Sequence, residues 1–343
     1  MLMMSLKNFK LFVFLFFISC ASVIPPSGGP EDVTAPKLVL TEPKNFTSIS
    51  EGQTIKLNFS EFLSEDSIRK SVSIYPALNE ILDIQFYGNR FEIKIPPLNT
   101  DESSYFLVID KTLKDENNVS LAEIIIIPLT SEPSLTKNSL EGNLYGDIDN
   151  ISILLWNKKI NFNEEFLPSP YLVLKNVSSF SIPSLPNGEY TVAAIRNYSP
   201  FRKIEVNNLY FSFKNYLIMD NRSIDNVNIF IPSVANSEKS TIIDEYTANG
   251  ELGILRLKKP ANLSLPYIML KNNQEELFFP LIDNETIDVP EGVYQLFIFD
   301  DLDKNQKISF GSLENSFGEY FIAFDDSITI RANWELDISN ISY

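Results

Sequence analysis

The side chains best suited to chemistry in this 343-residue sequence carry oxygen. In Asp300-Asp-Leu-Asp-Lys-Asn-Gln-Lys-Ile-Ser309, Asp301, Asp303 and Asn305 fall at alternate positions, a spacing by which one loop surrounds a hard cation such as calcium. Other residues oppose a metal. Gln306 stands where a sharp turn wants Gly, Lys304 and Lys307 bring positive charge, and Ser312 stands where a bidentate Glu is needed, with Glu314 the next carboxylate along. Two readings follow: calcium as the one cofactor, or a solvated acidic turn that closes a hairpin and needs none. A second acidic pair, Glu61 and Asp115, has the residue types for glycoside hydrolysis, which requires a pocket and two carboxyl pKa values pushed apart. Carboxylates at strand ends more commonly face solvent or cap turns, so no residue is assigned as catalytic and the chain is read as non-enzymatic.

Composition narrows the chemistry further. There is no His, which removes the commonest general base, the commonest zinc ligand and every Ser-His or Cys-His nucleophile pair. The 45 Asp plus Glu outweigh 28 Lys plus Arg, for a net charge of -17; such a chain repels phosphate backbones, and nucleic acid is excluded as a partner. With 44% hydrophobic residues the chain has enough apolar material to bury cores, and its length calls for more than one domain.

The single cysteine closes a distinctive amino-terminal segment. Lys7 and Lys10 precede the unbroken apolar run Leu11 to Ile18, followed by Ser19 and Cys20. Eight apolar residues fit the roughly 7 to 15 of a signal-peptide core and fall short of the roughly 20 that span a bilayer. Phe17-Ile18-Ser19-Cys20 resembles a bacterial lipobox, with Phe17 in place of the usual Leu. The resemblance implies removal of residues 1–19 and acylation of Cys20, hence a lipid anchor in the cell envelope, expected in the outer membrane. Cleavage also removes two Lys and no acid, so a basic patch is not what holds the mature chain to anionic head groups. Residues 20–36, rich in Pro, Gly and Ser, read as the lipidated cysteine and a flexible tether.

Beyond the tether, short β-branched and aromatic runs alternate with polar residues between Asn, Asp, Gly and Pro punctuation. Thr54 to Phe59, Arg90 to Ile95, Tyr105 to Ile109, Ser152 to Trp156, Tyr190 to Ile195, Val227 to Ile231, Tyr294 to Phe299 and Ser327 to Ile330 are expected strands. Ser64 to Lys70 is the one helical candidate, with Ser64 or Asp66 as its cap. The fold class is all-β: tandem sandwiches over residues 32–130, 137–234 and 241–343, each close to the ~100 residues of an immunoglobulin-like unit.

Residues 32 to 125 resemble the SbsA-type bacterial Ig-like domain of surface-layer proteins and envelope lipoproteins. The resemblance rests on Asp32-Val-Thr-Ala-Pro36, Leu38 to Pro43, Ile55-Lys-Leu-Asn-Phe-Ser-Glu61, the aromatic strand Tyr105 to Ile109, and Asp115-Glu-Asn-Asn118, where Asn117 replaces the family's glycine. Asn tolerates the positive φ such a turn needs. The later sandwiches are related to each other: Pro186-Asn-Gly-Glu-Tyr190 and Pro290-Glu-Gly-Val-Tyr294 share Pro-x-Gly-x-Tyr ahead of an alternating apolar strand. These segments resemble prealbumin-like or carboxypeptidase-regulatory-like sandwiches, which are non-catalytic. Trp156 and Trp334 are both expected in cores, since each shares the alternation of its strand. The expected role is an envelope binding or structural module that meets an envelope protein or a glycan. The alternative is an accessory lipoprotein that binds or cleaves carbohydrate with carboxylates and surface aromatics.

Overall fold

The computed structural model of the chain describes residues 31–44, 46–78, 80–99, 101–161, 166–213, 216–232, 241–242, 251–283, 285–309, 318–324 and 326–338. Cys20, the signal segment, most of the tether, Ser312 and Glu314 lie outside them. Residues 31–34 belong to a separate amino-terminal unit, in which Thr34 N–H donates to Asp32 Oδ1 (2.9 Å).

The first part of the unit from Ala35 onward contains β1 (Leu38–Glu42), β2 (Thr54–Phe59), helix α1 (Glu65–Ser71), β3 (Val72–Tyr75), β4 (Asp83–Phe86), β5 (Arg90–Lys94), β6 (Ser104–Ile109) and β7 (Ile125–Thr130). Sheets β1-β2-β5-β4 and β3-β6-β7 face each other across Ile55, Leu57, Phe91, Ile93, Tyr105, Leu107 and Ile109. α1 forms where Glu65 and Asp66 open and Arg69 and Lys70 close a single short helix, charges that suit its dipole. Ser64 is its N-cap residue but makes no capping bond; instead Ser67 Oγ donates to the Ser64 carbonyl (2.8 Å).

The middle part contains β8 (Ser139–Gly146), β9 (Ile151–Trp156), β10 (Phe166–Leu167), β11 (Leu172–Lys175), β12 (Ser179–Pro183), β13 (Gly188–Arg196), β14 (Ile204–Glu205), β15 (Leu209–Tyr210), β16 (Tyr216–Met219) and β17 (Ile229–Ile231). The last contains β18 (Thr241–Ile242), β19 (Leu252–Arg256), β20 (Pro266–Lys271), β21 (Glu276–Pro280), β22 (Thr286–Pro290), β23 (Gly292–Asp300), β24 (Phe321–Ala323), β25 (Ile328–Ile330) and β26 (Glu335–Asp337). Apart from the β10-β14 pair of the middle part and β18 beside β21 in the last, their wiring is the same. β8 lies between antiparallel β12 and parallel β17, as β19 lies between antiparallel β22 and parallel β26. β9 joins β11 to β13, as β20 joins β21 to β23. Both β13 and β23 then carry two further antiparallel partners.

The shared Pro-x-Gly-x-Tyr motif sits at the same place in both wirings, entering β13 and β23. Tyr190 Oη donates to the Pro186 carbonyl (2.9 Å) and Tyr294 Oη to that of Pro290 (3.2 Å), folding each ring back over its own turn. A Cβ on Gly292 would stand 2.9 Å from Tyr294 Cε2, so the glycine makes room for the ring. Close approach explains another pair. On β8 a Gly142 Cβ would meet the Val227 carbonyl at 2.1 Å, and on β19 a Gly253 Cβ would meet that of Arg331 at 2.4 Å. In both places the chain passes over the strand on its way into the parallel partner.

The sandwiches share packed junctions. Phe106 and Val108 of β6 belong to one cluster with Leu172 and Leu174 of β11, and Phe106 meets Tyr171 edge-on at 6.0 Å. Between the second and third, Tyr145 and Phe230 pack with Met269, Phe278, Phe297, Phe299 and Phe321. Phe230 meets Phe297 edge-on at 5.5 Å, and Tyr145 meets Phe321 at 5.4 Å, geometries that aromatic quadrupoles favour. Phe230→Ala should cost about 3–5 kcal/mol and split thermal unfolding, the third sandwich melting ahead of the rest. Calorimetry showing an unchanged melting profile would mean that this junction does not couple the two sandwiches.

Candidate functional site

β23 runs apolar up to Asp300, whose Oδ1 accepts from the backbone N–H groups of Ser264 (2.9 Å) and Leu265 (2.6 Å). The acidic loop follows directly. Asp301 is 2% exposed and Glu319, arriving just ahead of β24, is 7% exposed; with exposed Asp303 they bring three carboxylates to within 4.8 Å of one another. Asp301 and Asp303 are therefore placed together as their spacing suggests. Asn305 is engaged within the loop: its Nδ2 donates to Asp303 Oδ2 (2.8 Å) and Ser309 Oγ (2.9 Å), and its Oδ1 accepts from Lys307 N–H (2.7 Å). It helps build the loop, and Glu319, which the spacing did not single out, is the third carboxylate beside Asp301 and Asp303.

The backbone supplies most of the remaining donors. Asp301 Oδ1 accepts from the N–H groups of Asn305 (3.0 Å) and Gln306 (3.2 Å), while Glu319 Oε1 accepts from Leu302 N–H (2.7 Å) and Oε2 from Ser309 N–H (3.1 Å). Gln306 adopts φ 62° and Lys304 φ 61°, so the turn is made without glycine. Among the described residues, Asp301 Oδ2, Asp303 Oδ1 and Glu319 Oε2 each accept a single hydrogen bond and so keep an acceptor direction for a cation. Three close carboxylates without one are costly. Burial, aided by the nearby Asp303 charge, pushes the Glu319 carboxyl up to about 7 against the opposing backbone donors, and burial raises Asp301 as well. The loop is also tied to the sandwich junction: Ile308 lies in the aromatic cluster with Phe230, Gly318 N–H donates to the Ser212 carbonyl (3.2 Å), and Tyr320 meets Phe213 edge-on at 5.0 Å.

Glu61 and Asp115 also come within 4.8 Å. Asp115 is 1% exposed and its Oδ1 accepts from Val119 N–H (2.8 Å), capping its turn from inside. The positive φ of that turn falls on Asn118 (67°), one residue after the expected Asn117. Trp156 is buried, as expected, with Nε1 donating to the Pro168 carbonyl (2.9 Å). Trp334 corrects the sequence reading. It is 69% exposed, because it lies in the turn after Asn333 (φ 60°) and ahead of β26. With Ser327, Thr329, Arg331 and Glu335 it borders an open groove of about 450 Å³.

The folded Glu319 carboxyl keeps its proton toward pH 7, whereas an unfolded one loses it near 4.5. Between those values the folded state binds more protons, so this group's contribution to stability falls as pH rises. A bound cation displaces that proton. If the loop holds calcium, millimolar calcium will raise Tm more at pH 8 than at pH 5.5, and Glu319→Gln will abolish the difference. Calorimetry with no binding heat and no rise in Tm at either pH would establish the metal-free acidic turn.

Among curated proteins none matches the chain. Among solved structures it is similar to alpha-2-macroglobulin from Escherichia coli spanning domains MG0-NIE-MG1 (9% identity, TM-score 0.23, 76% of this chain and 93% of that one). It is likewise similar to the N-terminal part of the bacterial S-layer protein SbsC (13%, 0.22, 48% and 42%), and to BcpA, the major pilin subunit of Bacillus cereus (10%, 0.18, 57% and 70%). At such TM-scores these likenesses bear on neither domain arrangement nor function. The sequence itself is more specific: residues 32–125 match the family model of the bacterial Ig-like domain.

Proposed function

We propose that the chain is a non-enzymatic module of the bacterial cell envelope, anchored in the outer membrane by acylated Cys20, with a tether and three sandwiches that hold binding surfaces away from the bilayer. The observation that carries the structural part is the continuous packing across both junctions, Phe106 on Tyr171 and Phe230 on Phe297. Sandwiches joined through shared aromatic clusters act as a spacer, whereas sandwiches joined only by linkers move independently. The bacterial Ig-like match over residues 32–125 supports a structural or binding role. The common wiring of the second and third sandwiches is compatible with their reading as prealbumin-like modules. For the anchor, the support is Lys7, Lys10, the apolar run and Ser19-Cys20; several acyl chains hold far better than one. Among the described residues no helix is long and apolar enough to cross a membrane.

Fractionation of native cells tests the anchor: wild type should sediment with membranes and Cys20→Ala should be released, with surface protease reporting which side the chain faces. Both forms in the membrane, or both soluble, would overturn it.

Trp334 favours a second reading, glycan binding. An exposed indole beside Ser327, Thr329, Arg331 and Glu335 combines a stacking face with hydrogen-bonding groups. Only two Trp exist and Trp156 is buried, so ligand-dependent quenching of Trp emission by iodide reports Trp334. Protection from iodide by envelope oligosaccharides, lost in Trp334→Ala, is the expected result; equal quenching with and without sugar would discard this reading.

A further inference from the structure

The turn of Asp115 contains a polar atom that the fold itself does not satisfy. Asp115 Oδ1 accepts from Val119 N–H, but Oδ2 is buried without any hydrogen-bond donor among the described residues. Taking a carboxylate oxygen out of water unpartnered is costly, and native proteins answer nearly every such atom with a donor, an ordered water or an ion. The same carboxylate faces a second one: an oxygen of Asp115 lies within 4.8 Å of an oxygen of Glu61. Glu61 is half-buried, so the pair is open to solvent on its side.

The main chain braces this approach. Glu61 follows β2, and the next residues run beside the Asp115 turn: Glu116 N–H donates to the Phe62 carbonyl (3.1 Å) and Ser64 N–H to that of Lys114 (2.9 Å), while Leu63 and Asp115 form an antiparallel bridge. The turn closes on itself through Asp115 N–H, which donates to the Val119 carbonyl (3.1 Å). At such a separation two carboxylates repel. One cation between them answers both the repulsion and the orphaned Oδ2.

We propose that Glu61 and Asp115 hold a hard divalent cation of the calcium class, which clasps the end of β2 to the turn that precedes β7. Carboxylate ligands without imidazole or thiolate select calcium or magnesium over zinc. A ligand as deeply buried as Asp115 makes the ion shed water on that side, which calcium does more readily than magnesium. With two carboxylates and water completing the shell, the affinity falls at about 10⁻⁴–10⁻³ M, the range of extracellular modules. The inference is independent of the anchor at Cys20 and of the Trp334 groove.

The test titrates calcium chloride into the full chain carrying Glu319→Gln, which keeps the loop of Asp301 apart from the result. One equivalent should bind, raise Tm and slow backbone hydrogen exchange at Val119. Adding Glu61→Gln, at a half-buried position, should weaken binding by about tenfold or more, because affinity follows the charge count of the ligands. Adding Asp115→Asn should abolish binding. The amide keeps an acceptor for Val119 N–H and removes the buried charge, so in EDTA that chain should melt no lower than its parent. Absence of binding heat in the Glu319→Gln chain, or binding that survives both further substitutions, would overturn the proposal. So would an Asp115→Asn chain that melts well below its parent in EDTA, since Oδ2 would then be answered within the metal-free protein.

Discussion

A β-strand turns successive side chains to opposite faces, so a strand apolar throughout must be covered twice. Residues 105–109 of β6, 153–156 of β9 and 296–299 of β23 are such runs, buried at every position, and most of the molecule's organisation is the second cover. On β6, Tyr105, Leu107 and Ile109 enter the core of the first sandwich while Phe106 and Val108 face the second. On β23, Tyr294, Leu296 and Ile298 line the third core while Phe297 and Phe299 meet Phe230. β9 finds its second cover closer by: Leu154 and Trp156 pack against Ile160, Ile204, Leu209 and Phe211, on the short segments that follow the sheet's main strands. The only Cys precedes the sandwiches, so no disulfide shares this task. Apolar contact at the junctions is what makes the sandwiches one body.

The runs Tyr105 to Ile109, Ser152 to Trp156 and Tyr294 to Phe299 are readable as strands because they are short, apolar and bounded by turn residues. That the same runs also join sandwiches is less legible. An unbroken run states that both faces are buried without naming what buries the second, and partners such as Tyr145 and Phe230 are far away in sequence. The repeat was different: Pro-x-Gly-x-Tyr is local, since proline, glycine and tyrosine act on one turn, and the tyrosine hydroxyl reaches a carbonyl only four residues back. Turn chemistry was partly hidden by composition. With only 12 Gly, left-handed positions pass largely to Asn118, Asn150, Asn176, Asn197, Asn221, Asn226 and Asn333. Asn adopts this conformation at modest cost, but its presence does not say which residue of a turn is left-handed, and so Asn117 and Asn118 were interchangeable on sequence alone.

The acidic loop divides in the same way between local and distant information. Asp301 and Asp303 are separated by one residue, and any turn that opposes them brings them together. Glu319 reaches the cluster only because β24 returns antiparallel beside β23, opposite Phe297 to Phe299. Its position therefore depends on the sheet. The loop's anchors to the second sandwich, at Ser212, at Phe213 and through Ile308, tie the geometry of the carboxylates to the junction packed by Phe230. A change in charge within the loop consequently acts where two sandwiches meet, a stronger mechanical position than that of an isolated surface turn.

Trp334 shows where alternation stops being informative. Trp334, Leu336 and Ile338 share one parity, and within β26 the pattern holds: Leu336 is half-buried between exposed Glu335 and Asp337, and Leu336 and Ile338 pack against the third core. Trp334 has the right parity and the wrong backbone. Asn333 in the left-handed region turns the chain one residue earlier, and the β26 ladder with β19 begins at Glu335. Parity fixes a face only along a continuous ladder, because the pleat that alternates side chains is a property of that ladder. A large apolar residue just outside one is free to face water, where its burial energy is left for a ligand to recover.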